Sequence, residues 1–434
     1  MGYRRGWIYA LMLALVTINY MDRVALSVAA KSVATEFHLS PVQLGYLFSS
    51  FLWTYVICLL PVGILIDRFN TRVVNSVGIA LWSIAIAVTG AAWSFGTLLT
   101  TRLAMGAGEA TSIPSCGRIV REWMPASERG FASTIYSAGS FTGPAIGALL
   151  VGSVSAVWGW RASFVLLGAL GFVWLAVNLI WFDRPERVRW LSESERKKII
   201  SERGAAPDER LDERGNVRVV LHLIKQPSLW GITLSQGCAI YSLYLLLFWL
   251  PSYLQAAKHL NIMETGLFTA IPWACAAPLS IGFGALSDRL LNHQQVLAGK
   301  RRLMVMASLL CAAVLLIVPF SYNIWLILAL IAISLAGIAT TLALNVALVT
   351  DLVHKPRDVG KAISMIVLGG NTFGILAPIV TGYVVQGLGA YDWAFVIAGI
   401  LLVIGAVLAL TMTRRVIVSA DAAEGGGSPR LERA

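Results

Sequence analysis

The chain has 434 residues, of which 57% are hydrophobic and only 13% are charged, with a formal net charge of +11. A water-soluble domain carries about 25% charged residues, so this composition excludes an ordinary soluble protein. The apolar stretches also lack polar faces at helical spacing, which excludes a large soluble helical core. A net positive charge would suit nucleic-acid binding, but the basic residues are distributed along the chain in a pattern that has another explanation, given below.

The apolar residues form about a dozen stretches of roughly 18–25 residues, each long enough to cross a bilayer core of about 30 Å. Such stretches must be helical, because lipid offers no hydrogen-bond partner to free backbone groups. We therefore predict an all-α integral membrane protein with twelve spans, the first of them an uncleaved helix rather than a signal peptide. The predicted spans are 6–30, 42–66, 73–95, 97–122, 130–152, 160–182, 227–255, 262–287, 302–320, 323–351, 361–385 and 390–413.

The positions of Lys and Arg predict the orientation of these spans. If the N-terminus is inside, 29 of the 34 basic residues fall in inside loops and tails, and only Lys31, Arg161 and Lys258 fall outside. By the positive-inside rule this split predicts that both termini are cytoplasmic. It also explains the net charge without nucleic acid, and it suits a multi-pass protein of the bacterial inner membrane.

The long polar segment 183–226 divides the chain into two sets of six spans. We predict an N-terminal six-helix bundle over 1–182, a C-terminal one over 227–413 and a disordered cytoplasmic tail over 414–434. The segment 183–226 itself is predicted to be a solvated cytoplasmic linker with a short surface helix. A partner-binding role for this linker is the alternative.

A Gly, Asp and Arg pattern follows the second span of each predicted half at a constant offset of 221 residues. The two copies are Gly63, Asp67 and Arg68, and then Gly284, Asp288 and Arg289. Such internal repeats are typical of transporters in which two pseudo-symmetric halves rock about a central site. We expect the glycines to allow close helix contact and the aspartates to act as a gate, by capping or pairing across the halves in one conformation only.

Four ionisable side chains lie within spans of the first half, namely Asp22, Arg23, Arg102 and Glu109. Each would cost about 2.5–3.5 kcal/mol if it faced lipid alone. Neighbours such as Asp22 and Arg23 point about 100° apart on a helix, and residues seven apart are separated by about 10.5 Å along it. We therefore predict that the acids pair with the arginines across spans 1 and 4, with Arg23 toward a central cavity. Buried salt bridges that serve packing alone are the alternative.

No pattern in the sequence indicates catalysis or a cofactor. The five cysteines (Cys58, Cys116, Cys238, Cys275 and Cys311) fall in apolar spans without metal-ligand spacing, so we predict small buried thiols and neither a disulfide nor a metal site. A channel would need a continuous polar stripe, whereas the charges cluster in one half. The chain is therefore predicted to transport a solute, and not to be an enzyme.

Several motifs together resemble the major facilitator superfamily and, within it, the anion:cation symporter family, over all twelve spans. Bacterial sugar-acid transporters of the galactonate and hexuronate type are the members that the chain most resembles. The motifs are Asn19-Tyr20-Met21-Asp22-Arg23, Phe51-Leu-Trp53-Thr-Tyr55, Pro61-x-Gly63-x-x-x-Asp67-Arg68, Arg102-Leu-Ala-Met-Gly106-Ala-Gly-Glu109, Glu128-Arg129, Trp249-Leu-Pro251-Ser-Tyr253 and Gly369-Gly-Asn371.

The resemblance implies roles for individual residues. Arg23 matches the arginine that binds the substrate carboxylate, and Arg102 matches the arginine coupled to the glutamate of the fourth span. Asp22 and Glu109 match the protonatable acids. The implied substrate-binding groups beside Arg23 are Tyr20, Tyr55, Ser140 and Asn371.

Three positions depart from the sugar-acid pattern. Ser140 stands where those carriers have glutamine, Ala343 where they have tryptophan, and Ala239 near the place of an arginine used by glutamate carriers. The identity of the acid is therefore left open. In addition, the fifth-span segment from Gly139 to Gly147 resembles a glycine-proline pattern of antiporters, although a kinked, closely packed helix would need the same residues.

These features predict a secondary active transporter that takes up a small organic anion, such as a sugar acid or another monocarboxylate, by proton-coupled alternating access. The partners implied are the anion, protons and the lipid bilayer, with no cofactor, no nucleic acid and a monomeric state. With both acids ionised the buried cluster sums to zero, so an incoming anion would be balanced by a proton. A facilitator that exports a metabolite or a drug by antiport is the alternative.

Overall fold

The computed structural model describes residues 6–188, 190–202, 213–290, 295 and 299–417. Within that part of the chain all regular structure is helical, apart from one isolated bridge between Val353 and Ile417. The helices are α1 Gly6–Val28, α2 Ala30–Phe37, α3 Pro41–Arg68, α4 Thr71–Thr89, α5 Phe95–Glu109, α6 Ser112–Trp123, α7 Arg129–Trp158, α8 Trp160–Trp181, α9 Glu193–Glu202, α10 Glu213–Ile224, α11 Pro227–Ala257, α12 Ile262–Leu290, α13 Arg301–Ala312, α14 Ile324–Leu352, α15 Pro356–Leu388 and α16 Asp392–Met412.

Eleven segments of the described chain are long and apolar enough to cross a membrane. The remaining predicted span, 97–122, consists of α5 and α6, which are separated by Ala110 and Thr111. Pro114 lies in the first turn of α6, where it lacks a backbone donor and its ring crowds the carbonyl of Ala110, which disfavours one continuous helix. The all-helical prediction is thus confirmed, and the fourth span breaks directly after Glu109.

Residue contacts divide the chain into two compact units. The first unit comprises Met1–Ala206, Tyr244–Ala277 and Ile375–Ala394, and the second comprises Pro207–Leu243, Pro278–Gly374 and Phe395–Ala434. The first unit therefore includes segments of α11, α12 and α15 in addition to the predicted first half. The assignment of separate domains to 1–182 and 227–413 stays a prediction, as does the cytoplasmic position of the termini.

Glycines allow close helix packing at several points in the first unit. A Cβ on Gly139, Gly143 or Gly147 would lie within 2.8 Å of atoms in α1, so one face of α7 packs directly on the backbone of that helix. A Cβ on Gly106 of α5 would overlap the carbonyl oxygen of Phe51 in α3. Small residues permit this approach because their side chains do not hold the backbones apart. These contacts pack α7 on α1 and α5 on α3, the helices that carry the predicted site residues of the first spans.

The linker is less solvated than its composition predicts. Val188, Leu191 and Ile199 are buried, and the Trp190 ring stacks on the Trp123 ring with centroids 5.7 Å apart. The short helix α9 therefore begins from a segment anchored to the first half, and a second short helix, α10, precedes the seventh span. The tail predicted to be disordered, 414–434, lies outside the described part of the chain from residue 418 onward.

Candidate functional site

The four ionisable residues of the first half are all deeply buried. Asp22, Arg23, Arg102 and Glu109 have exposed fractions of 1%, 2%, 2% and 0%. None of them faces lipid, which agrees with the cost of an unpaired charge in the bilayer core. The structure therefore places these side chains inside the first unit, on α1 and α5.

An ion pair joins α1 to α5 at the centre of this cluster. Arg23 Nε donates to Glu109 Oε2 at 2.8 Å. A charge-assisted hydrogen bond of this length is among the stronger kinds in proteins. The predicted pairing of an acid and an arginine across spans 1 and 4 is found for these two residues.

The second expected pair, Asp22 with Arg102, is not formed in this conformation. Arg102 has no carboxylate within 4 Å among the described residues, and its Nη1 instead donates to Met105 Sδ at 3.3 Å on its own helix. Within the described part of the chain, Arg102 Nε and Nη2 and Asp22 Oδ1 have no hydrogen-bond partner. Because the side chain of Arg102 folds along α5 toward Met105, it does not reach the acid on α1. One half of the cluster is thus paired and the other is left with unsatisfied charges.

Aromatic rings surround the guanidinium of Arg23. Its Cζ lies 4.5 Å from the ring centroid of Tyr20, 5.1 Å from that of Phe51 and 5.0 Å from that of Tyr55. Cation–π contacts of this kind stabilise a buried guanidinium that is not fully hydrogen-bonded. The two tyrosines predicted to bind substrate, Tyr20 and Tyr55, are therefore brought to Arg23.

Sequence reasoning did not assign site roles to the aromatic residues of α11. The Phe248 ring contacts Phe51, with centroids 5.8 Å apart, and stacks on Tyr244 at 5.6 Å. Tyr244 in turn lies close enough to Arg23 to interact with it electrostatically. Nothing in their spacing distinguished these rings from ordinary core residues, since the stretch around them, from Tyr244 to Leu250, is entirely apolar.

Two predicted substrate-binding residues are not brought to Arg23 by any described contact. Ser140 is half-buried, and its hydroxyl donates to the Ser137 carbonyl of its own helix at 2.7 Å. Asn371 belongs to the second unit, where its Nδ2 donates to the Val367 carbonyl at 2.9 Å. Their proposed contact with a substrate stays a prediction.

The second unit contains a buried amide cluster of its own. Asn345 Nδ2 donates to Gln236 Oε1 at 2.9 Å and lies 3.3 Å from Ser235 Oγ. A Cβ on Gly370 would meet the Gln236 side chain at 3.1 Å, so the Gly369-Gly370-Asn371 segment packs on this part of α11. The partnership of Gln236 with Asn345 was not predicted, because single amides in apolar helices do not reveal their partners.

The described side chains of the predicted gate residues show one ion pair and little packing. Asp67 bonds to Arg118 at 3.0 Å, within the same half, and Arg68 lies over the Phe69 ring with its Cζ 5.9 Å from the centroid. A Cβ on Gly63 or on Gly284 would meet no atom within 4 Å. Among the residues that the structure describes, the close helix contact expected at these two glycines is therefore not found. Arg289 is exposed, and the side chain of Asp288 lies outside the described structure.

Within the described residues no group of three or more His, Cys, Asp or Glu side chains could hold a metal ion. The described cysteines are free thiols.

Comparison with known proteins identifies the family of this chain. The model of the Major Facilitator Superfamily matches residues 12–299 and 295–432. The probable galactarate/D-glucarate transporter GarP of Escherichia coli (strain K12) is 31% identical over 412 residues, with 92% of each chain covered. The probable sulfoacetate transporter SauU of Cupriavidus necator is 31% identical over 415 residues, covering 94% of this chain and 93% of that one.

A D-galactonate transporter of Escherichia coli O6:H1 is 28% identical over 396 residues, covering 89% of this chain and 91% of that protein. Among solved structures, a bacterial homologue of the human lysosomal transporter Spinster, in an inward-facing and unoccupied conformation, matches with a TM-score of 0.74. It covers 99% of this chain at 20% identity, a likeness that concerns the fold alone. Since the family model spans nearly the whole chain and both 31% relatives are full-length matches, this protein belongs to the Major Facilitator Superfamily of multi-pass membrane transporters and is not an enzyme.

Proposed function

We propose that this protein takes up a small organic anion, such as a sugar acid or another monocarboxylate, together with protons across the bacterial cytoplasmic membrane. The observation that carries the proposal is the buried ion pair between Arg23 and Glu109. The carboxylate of Glu109 binds the guanidinium of Arg23 in the way that a substrate carboxylate would. A substrate and an ionised Glu109 would therefore compete for the same group.

Charge balance then couples the substrate to a proton. The cluster of two arginines and two acids sums to zero when both acids are ionised. An anion that displaces Glu109 from Arg23 leaves a net negative charge in a buried place, which is unfavourable unless a proton neutralises an acid. Protonation of Glu109 both frees Arg23 and restores neutrality. A second proton on Asp22 would make the loaded carrier positive, so that the membrane potential would assist uptake.

The relatives support an anionic substrate of modest size. Their names refer to galactarate, D-glucarate, sulfoacetate and D-galactonate, which are all acids. In the described part of this chain the fully buried basic side chains are Arg23 and Arg102. Arg23 lies among the rings of Tyr20, Phe51 and Tyr55, whereas the side chain of Arg102 lies along α5. This arrangement suits a substrate with one carboxylate better than a substrate with two.

The alternative of export by antiport has no comparable support. It depends on the glycine-proline pattern of the fifth span, and Gly139, Gly143 and Gly147 are accounted for by their contacts with α1. Uptake and export nevertheless give opposite results in one measurement, because energised vesicles would accumulate substrate in the first case and expel it in the second.

The proposal is tested by transport into proteoliposomes that contain the purified protein. Labelled galactonate, galactarate and sulfoacetate would be offered with and without a proton gradient, acidic outside. We expect accumulation of at least one acid that disappears when the gradient is collapsed. Accumulation that does not depend on the proton gradient would contradict the proposed coupling.

The variant Glu109→Gln tests the residue assignment in the same assay. It should retain exchange of labelled for unlabelled substrate and should lose accumulation driven by protons. Glu122→Gln is the matched control, because Glu122 is also an ion-paired glutamate, bonded to Arg118 at 2.9 Å on its own helix. This control should accumulate substrate as the wild type does.

A further inference from the structure

A groove in the second unit lies between the helices α12, α13 and α14. Its volume is about 250 Å³, and its walls include Leu286 and Leu290 of α12, Met304 and Ala307 of α13 and Thr340 of α14. Leu286, Leu290 and Ala307 are exposed, whereas Thr340 is buried. The groove therefore opens at the helix surface and has its floor between the helices.

The hydroxyl groups on the floor of the groove bond within the protein. Thr340 Oγ1 donates to the Ala336 carbonyl oxygen at 2.8 Å. Ser308 Oγ donates to the Val305 carbonyl oxygen at 2.9 Å and lies 2.8 Å from Thr341 Oγ1. Sites for small polar molecules need a few convergent polar groups and usually measure roughly 300–1,000 Å³. A narrow groove whose hydroxyls are already bonded suits an apolar chain better than a metabolite.

The helices around the groove are membrane spans, so lipid is the apolar material that surrounds them. The segments Ile262–Ser287, Arg301–Phe320 and Ile324–Leu352 are each long and apolar enough to cross a bilayer. An acyl chain in the groove would contact protein on several sides and gain dispersion energy. Lipid tails are as apolar as leucine, however, so apolar contact by itself selects no particular lipid. Selection requires groups that contact the lipid headgroup.

Basic side chains lie at the end of the groove where α12 ends and α13 begins. Arg289 is three residues after the wall residue Leu286, and Arg301 is three residues before the wall residue Met304. Residues three apart on a helix are neighbours on its surface. Lys300 directly precedes α13, and both Lys300 and Arg289 are exposed. Positive charge is therefore available to an anionic group at this end of the groove.

The positive charge at this end exceeds the negative charge. The segment 288–302 contains four basic residues and one acidic residue, Asp288. A second acid, Asp351, bonds to Arg301 Nη1 at 2.9 Å, which leaves the other donors of that guanidinium for an anion. Two acids against four basic residues leave a net charge of +2. By the positive-inside rule this end is predicted to lie on the cytoplasmic side.

We propose that this groove binds one acyl chain of an anionic phospholipid, with the lipid phosphate against Arg289, Lys300 and Arg301. The apolar walls hold the chain, and the basic side chains select the headgroup. Basic residues at the cytoplasmic ends of spans attract anionic lipids in this way. The inference concerns the second unit alone and does not depend on which solute the protein transports.

The test is lipid binding by the full-length protein in detergent, measured by native mass spectrometry. Phosphatidylglycerol is compared with phosphatidylcholine that has the same acyl chains, and the wild type should bind phosphatidylglycerol more tightly. The double variant Arg289→Gln, Lys300→Gln should lower the affinity for phosphatidylglycerol about 30-fold, since each basic side chain contributes about half of the corresponding 2 kcal/mol. Its affinity for phosphatidylcholine should stay the same. Equal affinity of the wild type for both lipids would overturn the proposal.

Arg414→Gln, Arg415→Gln is the matched control for charge. These two arginines are also exposed in the second unit and directly follow α16, a helix that contributes no residue to the groove. This control should bind phosphatidylglycerol as the wild type does. A loss as large as that of Arg289→Gln, Lys300→Gln would show general attraction to a basic protein, and the proposal would be wrong.

Ala307→Phe tests the part of the proposal that concerns the acyl chain. The larger side chain should fill part of the groove and weaken binding of phosphatidylglycerol several-fold. Ala285→Phe is the matched control, because Ala285 is exposed on α12 but does not line the groove. Folding of both is verified by thermal unfolding without lipid, and Ala307→Leu replaces Ala307→Phe if the latter does not fold. Unchanged binding by the groove-filling variant would contradict the proposal.

Inorganic phosphate separates a lipid site from a simple phosphate site. It lacks an acyl chain, so it should not displace phosphatidylglycerol when both are present at equal concentration. Displacement under these conditions would overturn the proposal in favour of free phosphate. Failure of the wild type to bind phosphatidylglycerol at all would also overturn it and would leave the chain's own segment 291–298 as the candidate occupant.

Discussion

The guanidinium of Arg23 and the carboxylate of Glu109 form a hydrogen-bonded ion pair in which neither side chain is more than 2% exposed. The pair joins α1 to α5 and lies among the rings of Tyr20, Phe51 and Tyr55. Two charges placed in such a setting contribute little net stability, because desolvation offsets most of their attraction. Their presence in a chain this apolar agrees with the role in binding an anion that we propose.

Substitution of Arg23 should remove substrate binding even when the positive charge is kept. Arg23→Lys retains one charge but loses the planar fork that matches a carboxylate and stacks on the surrounding rings. We expect affinity, measured by calorimetry with the transported acid, to fall at least about tenfold, which corresponds to about 1.4 kcal/mol. Arg118→Lys, which alters an exposed ion pair with Asp67, is the control, and unchanged affinity in Arg23→Lys would contradict the assignment.

Neutralisation of Asp22 should be tolerated by the fold. Asp22 Oδ1 has no hydrogen-bond partner, and no arginine lies within 4 Å of its carboxylate among the described residues. Because a buried, unpaired carboxylate is unfavourable, Asp22→Asn should unfold at the same temperature as the wild type or a higher one. In the transport assay the same variant should lose the stimulation of uptake by an inside-negative potential. Destabilisation by more than about 1 kcal/mol would show that the carboxylate has a structural partner.

Close contacts at two glycines should be needed for the conformation described here. A Cβ on Gly45 of α3 would lie 2.5 Å from the Pro378 carbonyl oxygen, and a Cβ on Gly266 of α12 would lie 2.5 Å from the Ala148 carbonyl oxygen. All four residues belong to the first compact unit. Gly45→Ala and Gly266→Ala should therefore disfavour this packing and slow transport several-fold, while substrate affinity changes little.

Accessibility of single cysteines placed along α3 and α12 would measure the change in packing in these two variants. Gly117→Ala is the matched control, because a Cβ at Gly117 would meet no atom within 4 Å. Transport by Gly45→Ala and Gly266→Ala at the rate of this control would show that the close contacts are not required.

An ion pair between Glu36, which lies outside the spans, and Arg161, at the first turn of the sixth span, should give a small, pH-dependent contribution to stability. Arg161 hydrogen-bonds to Glu36 and lowers the pKa of that carboxyl below its ordinary value of 4.5, with a second hydrogen bond from Trp160 acting in the same direction. A lowered pKa means that the stabilisation is complete above pH 4.5 and is lost as the pH falls through the folded-state pKa. Both side chains of the ion pair are about 40% exposed, so the effect at neutral pH should not exceed about 1 kcal/mol.

Arg161→Gln should therefore lower the midpoint of thermal unfolding slightly at pH 7, and the difference from the wild type should narrow as the pH falls below 4.5. Lys197→Gln, which affects an exposed pair with Glu193, should show no such pH dependence. A difference for Arg161→Gln that is constant between pH 7 and pH 3 would contradict the ionic contribution of Glu36.

The four buried charges and the pairing of Arg23 with Glu109 across spans 1 and 4 were predictable, but the failure of Arg102 to pair with Asp22 was not. Periodicity and charge pointed to Asp22, Arg23, Arg102 and Glu109 because ionisable groups within apolar spans are rare and costly. Whether Arg102 would meet Asp22 or turn along its own helix toward Met105 depends on the rotation of α1 against α5 and on the rotamers at the contact. The alternative orientations differ by about the energy of one hydrogen bond. The spacing of residues in the sequence does not reveal which of them is adopted.

The sequence by itself determined the membrane class, the helical fold, the positions of the spans and the buried charges, because lipid imposes strong, local requirements on length, backbone pairing and polarity. Only the tertiary structure decided that Arg102 turns along its own helix toward Met105, that the fourth span breaks after Glu109, and that the close helix contacts fall at Gly45 and Gly266 rather than at Gly63. These features depend on how helices far apart in the chain meet, and the physical terms that fix such meetings are numerous, short-range and individually small.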